Sequence, residues 1–253
     1  MPSMRLTILG SGSNLHPTRA AAGYLVRTDR TFLLDFGPRT LMNLLKTGAD
    51  RHRITHILFS HFHADHFADF IPFFFDAAYY SQQLGKREGL TIIGPRGTKR
   101  LFNVIVKTFP GFSSAQFRLT IREVADRSFR IGRTRITPRT VVHSQRLHCL
   151  GYRIQYGKKV LAYSGDATYC EGLLKLCRKA DVAVLDCSFP ANRPGRGHMH
   201  AEDCGRIAQE AGITRLILSH FYPIADRYDV TRQAERWFSG QITRGRDLLT
   251  VRV

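Results

Sequence analysis

The sequence predicts an α/β protein made of two similar αβ halves that face one cleft. Three observations predict it. Apolar, strand-like runs alternate with helix-like segments along most of the chain, the pattern of sheets covered by helices. The nine residues Ile54 to Phe62 return as Ile213 to Phe221 with five of nine positions identical, and each copy delivers Ser-His-Phe at the end of an apolar strand. Ligands gather at the carboxyl ends of strands in open α/β sheets, so two such ends imply a shared cleft. Finally, the first of these strand ends opens directly into three histidines and an aspartate within six residues, His61 to His66.

The elements follow in order. Leu6 to Leu9 is a strand that opens on the turn Gly10-Ser11-Gly12-Ser13. Gly23 to Arg27 and Phe32 to Phe36 make a hairpin around Thr28-Asp29-Arg30-Thr31,. Pro38 to Thr47 fits a helix, with proline early and Gly48 just past its end,. A strand over 55–60, a helix over 66–84, a strand over 90–93 and a helix from 97 come next. Residues 117–164 differ, with alternating β-type segments and Gly132, Gly151 and Gly157 at the bends,. Helix 169–178, strand 181–187, helix 201–211, strand 214–219, helix 227–239 and a last strand near 248–252 complete the chain. No low-complexity tract or long linker divides it, so 1–253 is expected to form a single domain,.

A hydrophobic content of 43% over 253 residues leaves room for a sizeable core,. The N-terminal residues lack the apolar region of a secretory signal,. The greasiest stretch, Phe70 to Tyr80, is broken by Pro72 and Asp76 and is too short to cross a membrane,. Five cysteines, an odd number without a CxxC pair, read as the reduced thiols of a cytoplasmic protein,. Lys and Arg outnumber Asp and Glu by 38 to 20, a net charge of +18, and 30 of the basic residues are arginine. That surplus favours anionic partners, nucleic acid or phosphorylated small molecules ahead of membranes. Arginine-rich coding is the bland alternative.

The chemistry concentrates in His61-Phe62-His63-Ala64-Asp65-His66. His61 and His63 are two apart, so in extended backbone their rings share a side. Asp65 and His66 follow where the strand gives way and can turn to a second point. Imidazoles and a carboxylate suit a Zn²⁺-like ion. More donors stand at other element ends: His143 after the run Ile136 to Val142, Asp166 after Leu161-Ala162-Tyr163-Ser164-Gly165, and His220 on the echoed strand. A two-ion site needs a carboxylate that reaches both ions. The parts fit as His61, His63 and His143 on one ion and Asp65, His66 and His220 on the other, with Asp166 between them.

At this point the chain resembles the metallo-β-lactamase superfamily, and its RNase Z-like branch in particular. The Gly-Ser-Gly-Ser opening, Leu33-Leu34-Asp35-Phe36-Gly37, the His-x-His-x-Asp-His run, Ser164-Gly165-Asp166 and Leu218-Ser219-His220-Phe221 occur in the family's order across essentially the whole chain. The resemblance implies an α/β fold of the four-layer αβ/βα sandwich type, two facing mixed sheets with helices outside. It also implies two zinc ions, with manganese or iron compatible with the same donors, and hydrolysis by a hydroxide bridging them. Gly197-His198 before Ala201-Glu202-Asp203-Cys204 resembles the branch's Gly-His segment, which implies a catalytic role for His198 beside Asp65, with His200 as competitor. Asp186 and Asp35 resemble carboxylates that orient ligand histidines; a strand cap is the plainer reading of each. A homodimer is compatible with the branch.

The chain departs from the branch in two places. Only 22 residues, 144–165, separate His143 from Asp166, too few for the arm that grips tRNA in tRNA-processing members. The stretch after His143 is two residues longer than usual, which makes His148 a rival ligand. Eight arginines between 118 and 146 could rim the cleft or lie on a solvated meander,. Phe73, Phe74, Phe75, Tyr79 and Tyr80 could stack a base or pack a core,. The expected function is a metal-dependent hydrolase, foremost a phosphodiesterase. Its rivals are hydrolysis of another ester class (lactone, thioester, sulfate ester, β-lactam) and nucleic-acid binding with structural metal. An oxidoreductase would need a flavin domain, for which the chain has no room.

Overall fold

The computed structural model describes residues 3–83, 87–109, 111–112 and 115–253. Two seven-stranded sheets form the centre. The first contains β1 (Arg5–Gly10), β2 (Gly23–Arg27), β3 (Thr31–Phe36), β4 (His56–Leu58), β5 (Leu90–Gly94), β6 (Leu119–Glu123) and the last strand, β14 (Thr250–Arg252), in the order β14-β1-β2-β3-β4-β5-β6. The second contains β7 (Phe129–Ile131), β8 (Thr134–Val141), β9 (Cys149–Tyr156), β10 (Lys159–Tyr163), β11 (Val182–Asp186), β12 (Arg215–Ser219) and β13 (Gln241–Arg244), in the order β13-β12-β11-β10-β9-β8-β7. Each sheet is antiparallel on one side and parallel on the other, from β3 to β6 and from β10 to β13.

Strand alternation sorts the apolar side chains into three cores. Leu161 and Tyr163 of β10, Val182 and Val184 of β11 and Ile217 of β12 meet Leu6, Ile8, Tyr24, Phe32, Leu34 and Leu58 between the sheets. Their alternates Ala162, Ala183, Leu185, Leu216 and Leu218 pack beneath α5 (Glu171–Cys177), α6 (Ala201–Ala211) and α7 (Val230–Glu235). Leu33, Phe36, Ile57 and Phe59 do the same beneath α1 (Thr40–Lys46), α3 (Phe70–Gln83) and α4 (Thr98–Thr108). Strands covered on both faces read as unbroken apolar runs. The result is the expected four-layer αβ/βα sandwich.

Several element expectations change. The helix expected over 66–84 is two helices, α2 (Ala64–Phe67) and α3, and residue 84 lies outside the described residues. Asp69 makes the break: its N–H donates to the Phe36 carbonyl (3.1 Å) and its carboxylate accepts from the Leu41 N–H (2.8 Å). Pro72 is tolerated because it lies in the first turn of α3,. The helix expected over 227–239 shortens to α7, because Pro223–Arg227 winds into a tight 3-10 turn and Asp229 caps a fresh start through the Arg232 N–H (3.0 Å). Strand β13 is unannounced by its sequence; Gln241-Ile242-Thr243-Arg244 has one apolar residue and is ordered by parallel pairing with β12. Gly151 lies inside β9, not at a bend, where a side chain would meet the Tyr163 and Ser164 carbonyl oxygens at 2.9 and 3.1 Å.

The internal echo also changes meaning. By position in the sheets β4 corresponds to β11, and β12 to β5. The echoed segments around β4 and β12 are therefore not equivalent strands of the two halves. Both are interior parallel strands buried on both faces, a setting that demands the same apolar run, and each hands a histidine to the same cleft. No helix is long and apolar enough to cross a membrane among the described residues. All five cysteines are free thiols.

Candidate metal centre

The site forms where strand ends of the two sheets converge. The Phe59 N–H still donates to Ile93 in the first sheet (2.8 Å), and the next carbonyl, of Ser60, accepts from Leu150 in the second (2.9 Å). This bond brings the His61 loop against the turn after β10. Gly165 (φ 59°) makes the approach sterically feasible, since a Cβ there would lie 2.7 Å from Ser60 Cβ,. Asp166 is thereby placed beside the histidines of the other sheet.

Three overlapping donor groups result. His61, His63, His143 and Asp166 form the first, Asp65, His66, Asp166 and His220 the second, and Asp166, Asp186, His198 and His220 the third. In the first, His63 Nδ1 lies 3.0 Å from His61 Nε2 and 3.2 Å from His143 Nε2. Asp166 Oδ2 lies 3.7 and 3.8 Å from His61 Nε2 and His143 Nε2. In the second, Asp166 Oδ1 lies 3.1 Å from His66 Nε2 and 3.3 Å from His220 Nε2, and Asp65 Oδ2 lies 3.3 Å from His220 Nε2.

The hydrogen bonds behind the rings show which nitrogens are lone-pair donors. His143 Nδ1 donates to the Gly197 carbonyl (2.6 Å), which can only accept. His66 Nδ1 donates to Asp35 Oδ2 (2.7 Å). Ser188 Oγ gives its proton to Asp186 Oδ1 (2.5 Å) and so accepts from His220 Nδ1 (3.0 Å). Ser60 Oγ likewise donates to Asp35 Oδ2 (2.6 Å) and accepts from His61 Nδ1 (3.0 Å). In the tautomers these bonds select, the Nε2 atoms of His61, His66, His143 and His220 face inward as lone-pair donors. They converge on Asp166, whose buried Oδ1 accepts no hydrogen bond among the described residues. Acceptors crowded this way need a cation. Four donors about 2.0–2.1 Å from a tetrahedral ion lie about 3.3–3.4 Å apart, close to the spacings seen. The residues fit a divalent metal, with Asp166 common to the donor groups.

Electrostatics agrees. Burial opposes charge on His66, but Asp166, Asp35 and Asp65 outweigh it and hold its pKa well above the ordinary imidazole value. Burial is likewise outweighed at His220, chiefly by Asp166. Burial, reinforced by His66, pushes His61 well below the ordinary value. Asp166 and Asp65 are both held low by the neighbouring His66 and His220 in spite of burial. A field of carboxylates that stabilises protons on imidazole stabilises a divalent cation in their place.

The remaining expectations sort by position. His198 lies at the site: its Nδ1 donates to Asp186 Oδ2 (2.8 Å), its ring stacks on His220 with centroids 5.5 Å apart, and Asp186 outweighs burial to raise its pKa. His200 instead caps α6 in a reciprocal pairing with Asp203. His148 points away to Thr140 Oγ1 (3.1 Å) and joins none of the donor groups. Asp35 and Asp186 are not strand caps but hubs. Asp35 accepts from the Ser60 N–H and hydroxyl, His66 and the Tyr163 hydroxyl. Phe73 and Phe74 are core, Tyr80 stacks on His52, and Phe75 and Tyr79 face outward. Ser60, Ser188 and Tyr163 are the supporting residues that sequence reasoning missed; the available signal was a serine directly before His61 and another two residues after Asp186.

A backbone strain completes the site. His220 has φ 63°, a left-handed conformation that costs a β-carbon residue about 1–3 kcal/mol,. The Gly-Ser-Gly-Ser segment holds it there: the Phe221 N–H donates to the Ser11 carbonyl (2.9 Å) and the Ser13 N–H to the Phe221 carbonyl (3.0 Å).

A family model, the β-lactamase superfamily domain, matches residues 30–221. The chain belongs to the β-lactamase superfamily. Uncharacterized protein Rv1339 of Mycobacterium tuberculosis is 32% identical over 248 residues, which span 95% of this chain and 89% of that protein. Ribonuclease Z of Mycolicibacterium gilvum is 29% identical over 283 residues, with 99% and 96% covered. The crystal structure of the metallo-β-lactamase fold protein YhfI from Bacillus subtilis superposes with a TM-score of 0.86 at 25% identity, covering 99% of this chain and all of that one. Superfamily membership and the clustered donors together make this a metallo-β-lactamase-fold hydrolase able to bind metal.

Proposed function

We propose that the chain is a dinuclear metal-dependent phosphodiesterase of the cytoplasm that acts on nucleic acid or a small phosphodiester. The observation that carries the proposal is the Asp166 carboxylate, whose Oδ2 faces His61 and His143 and whose Oδ1 faces His66 and His220. His61, His63, His143 and Asp166 would hold one ion, and Asp65, His66, Asp166 and His220 the other. Two bound divalent ions, zinc ahead of manganese or iron, supply a lowered water pKa and positive charge opposite a phosphoryl group.

The chain's own residues supply the rest. Asp65, kept ionised by His66 and His220, is a hydrogen-bond acceptor that can orient the attacking water. Asp186 raises the His198 pKa against burial, which favours a proton on its Nε2, an atom unpaired among the described residues. That N–H can bind a phosphoryl oxygen and pass a proton to the leaving oxygen. The net charge of +18 favours an anionic substrate over a neutral one,. The kinship to Ribonuclease Z supports phosphodiesters as the class.

The test is turnover of bis-p-nitrophenyl phosphate by Zn²⁺- or Mn²⁺-loaded protein, beside a panel of lactone, thioester and sulfate esters. Phosphodiester turnover should vanish with Asp166→Ala and fall roughly 10²-fold or more with His198→Ala at unchanged metal content. Absence of turnover, or turnover that survives Asp166→Ala, refutes the proposal.

A further inference from the structure

Four of the arginines between 118 and 146, Arg130, Arg133, Arg135 and Arg139, stand along the β7–β8 hairpin and not at the metal centre. Arg130, Arg133 and Arg135 cluster at the β7–β8 hairpin, and β8 then runs from Thr134 to Val141 before reaching His143. At about 3.3 Å per residue, Arg135 is about 26 Å of strand away from His143 and Arg139 about 13 Å.

On the outer face of this sheet the basic residues line two cavities. Arg130, Arg133 and Arg135 line one of about 380 Å³. Arg139, Arg153, Lys175, Arg178 and Lys179 line a second of about 380 Å³ between β8, β9 and the C-terminal end of α5. Arg130 and Arg135 are direct cross-strand partners, and Thr137 is paired with Arg153. Like charges placed opposite each other destabilise a sheet unless something neutralises them. The chain does little of this itself. Arg133 has Asp29 at 3.7 Å and Lys175 has Glu171 at 2.6 Å. Arg130, Arg135, Arg139, Arg153, Arg178 and Lys179 have no carboxylate partner among the described residues. Charges that guard a sheet edge would account for Arg130 on the edge strand β7, but β8 and β9 are interior strands. Several of the guanidinium groups are held in place: Arg133 Nη2 donates to the Tyr156 hydroxyl (2.7 Å), and Arg153 Nη1 to the carbonyls of Leu176 (3.0 Å) and Arg178 (2.8 Å).

We propose that the outer face of β7, β8 and β9, together with the end of α5, is a nucleic-acid-binding surface that grips the phosphate backbone. A single small anion would fill one cavity and leave the other cations unmatched. A polymer with a phosphate at every step matches both cavities, and β8 leads from them to His143. No exposed large hydrophobic side chain lies among the lining residues, which disfavours a membrane as the anionic partner. The inference does not need the hydrolysis proposal, because binding is read without turnover.

The test is fluorescence anisotropy of a labelled 24-base-pair DNA duplex with the metal-loaded chain at 50–200 mM salt. Arg130→Ala/Arg135→Ala/Arg178→Ala should weaken binding at least about tenfold and flatten the log–log salt slope by about 2.7, near 0.9 per lost phosphate contact. Arg53→Ala/Arg100→Ala/Lys107→Ala removes equal charge from exposed positions over the other sheet, none of them paired across strands, and should change binding little. Turnover of bis-p-nitrophenyl phosphate by the first triple variant should match the parent. Should that variant fold poorly, Arg135→Gln and Arg178→Gln should each flatten the slope by about 0.9. Equal losses in both triple variants, an unchanged slope in the first, or tighter capture of phosphatidylserine vesicles than of the duplex at the same salt overturns the inference.

Discussion

Replacing Asp35 with asparagine tests whether the centre is held from behind. Asp35 is fully buried and has φ 51°, a conformation asparagine tolerates, so the exchange adds no backbone strain. One carboxylate oxygen accepts from the Ser60 N–H (2.6 Å), and the other accepts from Ser60 Oγ (2.6 Å), His66 Nδ1 (2.7 Å) and the Tyr163 hydroxyl. An amide keeps only one acceptor oxygen. Its better orientation turns that oxygen to the three donors and sets NH₂ against the Ser60 N–H, an unmet buried donor that costs about 1–3 kcal/mol. The three retained bonds lose their charge assistance, about 1 kcal/mol each. The metal-free chain should lose about 4–6 kcal/mol in urea unfolding followed by circular dichroism. Because the bond that orients His66 loses its negative charge and with it the ligand's basicity, competition with a chromophoric chelator should show metal affinity reduced about 10–100-fold. A stability loss under about 1 kcal/mol with unchanged metal affinity would refute the supporting role of Asp35.

Other outcomes follow from the same geometry. His143→Ala should lower bound metal per chain by elemental analysis, whereas His148→Ala should leave it unchanged. Asp226 accepts from Arg19 (3.0 Å) and Arg244 (2.7 Å), and these guanidiniums outweigh burial to hold its pKa below the ordinary carboxylate value. Its contribution is present above about pH 3.9 and is lost as pH falls through the lower folded value, so Asp226→Asn should flatten the acid limb of the stability curve below pH 4. Burial, with Arg30 and Arg122, lowers the His56 pKa to about 4. Between about pH 6.5 and that value the unfolded chain takes up the proton first, so stability declines across this window and His56→Gln should remove the decline. Phe59 is fully buried among Phe62, Phe67, Phe70 and Phe102, and Phe59→Ala should cost about 3–5 kcal/mol by denaturant titration.

What was legible in the sequence was local. Ligand histidines sit at ends of apolar runs, and an apolar run next to a donor can be read without knowing its neighbours. The residues that orient those histidines were harder to read. Asp35 meets His66 across 31 positions, and Tyr163 meets Asp35 across 128. Neither pairing leaves a mark within a window of a few residues. Ser188 and Ser60 look like ordinary turn serines until each is seen between a carboxylate and an imidazole. Edge strand β13 escaped because partial burial imposes little apolar pattern. The arginine run was legible as charge but not as place, since the direction of β8 decides which end of it faces the metals. The echo around β4 and β12 was legible as similarity, but strand order alone reveals that it joins unlike positions.

The donors are divided between the sheets: His61, His63, Asp65 and His66 come from the first, and His143, Asp166 and His220 from the second. Bound ions would therefore act as bolts through the whole molecule. At a free concentration 1,000 times the dissociation constant, each ion adds about 4.1 kcal/mol to folding stability. Stripping one would raise the unfolded fraction about a thousandfold, and with it exposure to proteases. Metal supply in the cell would then set how long the chain survives as well as whether it works, with starved copies cleared first.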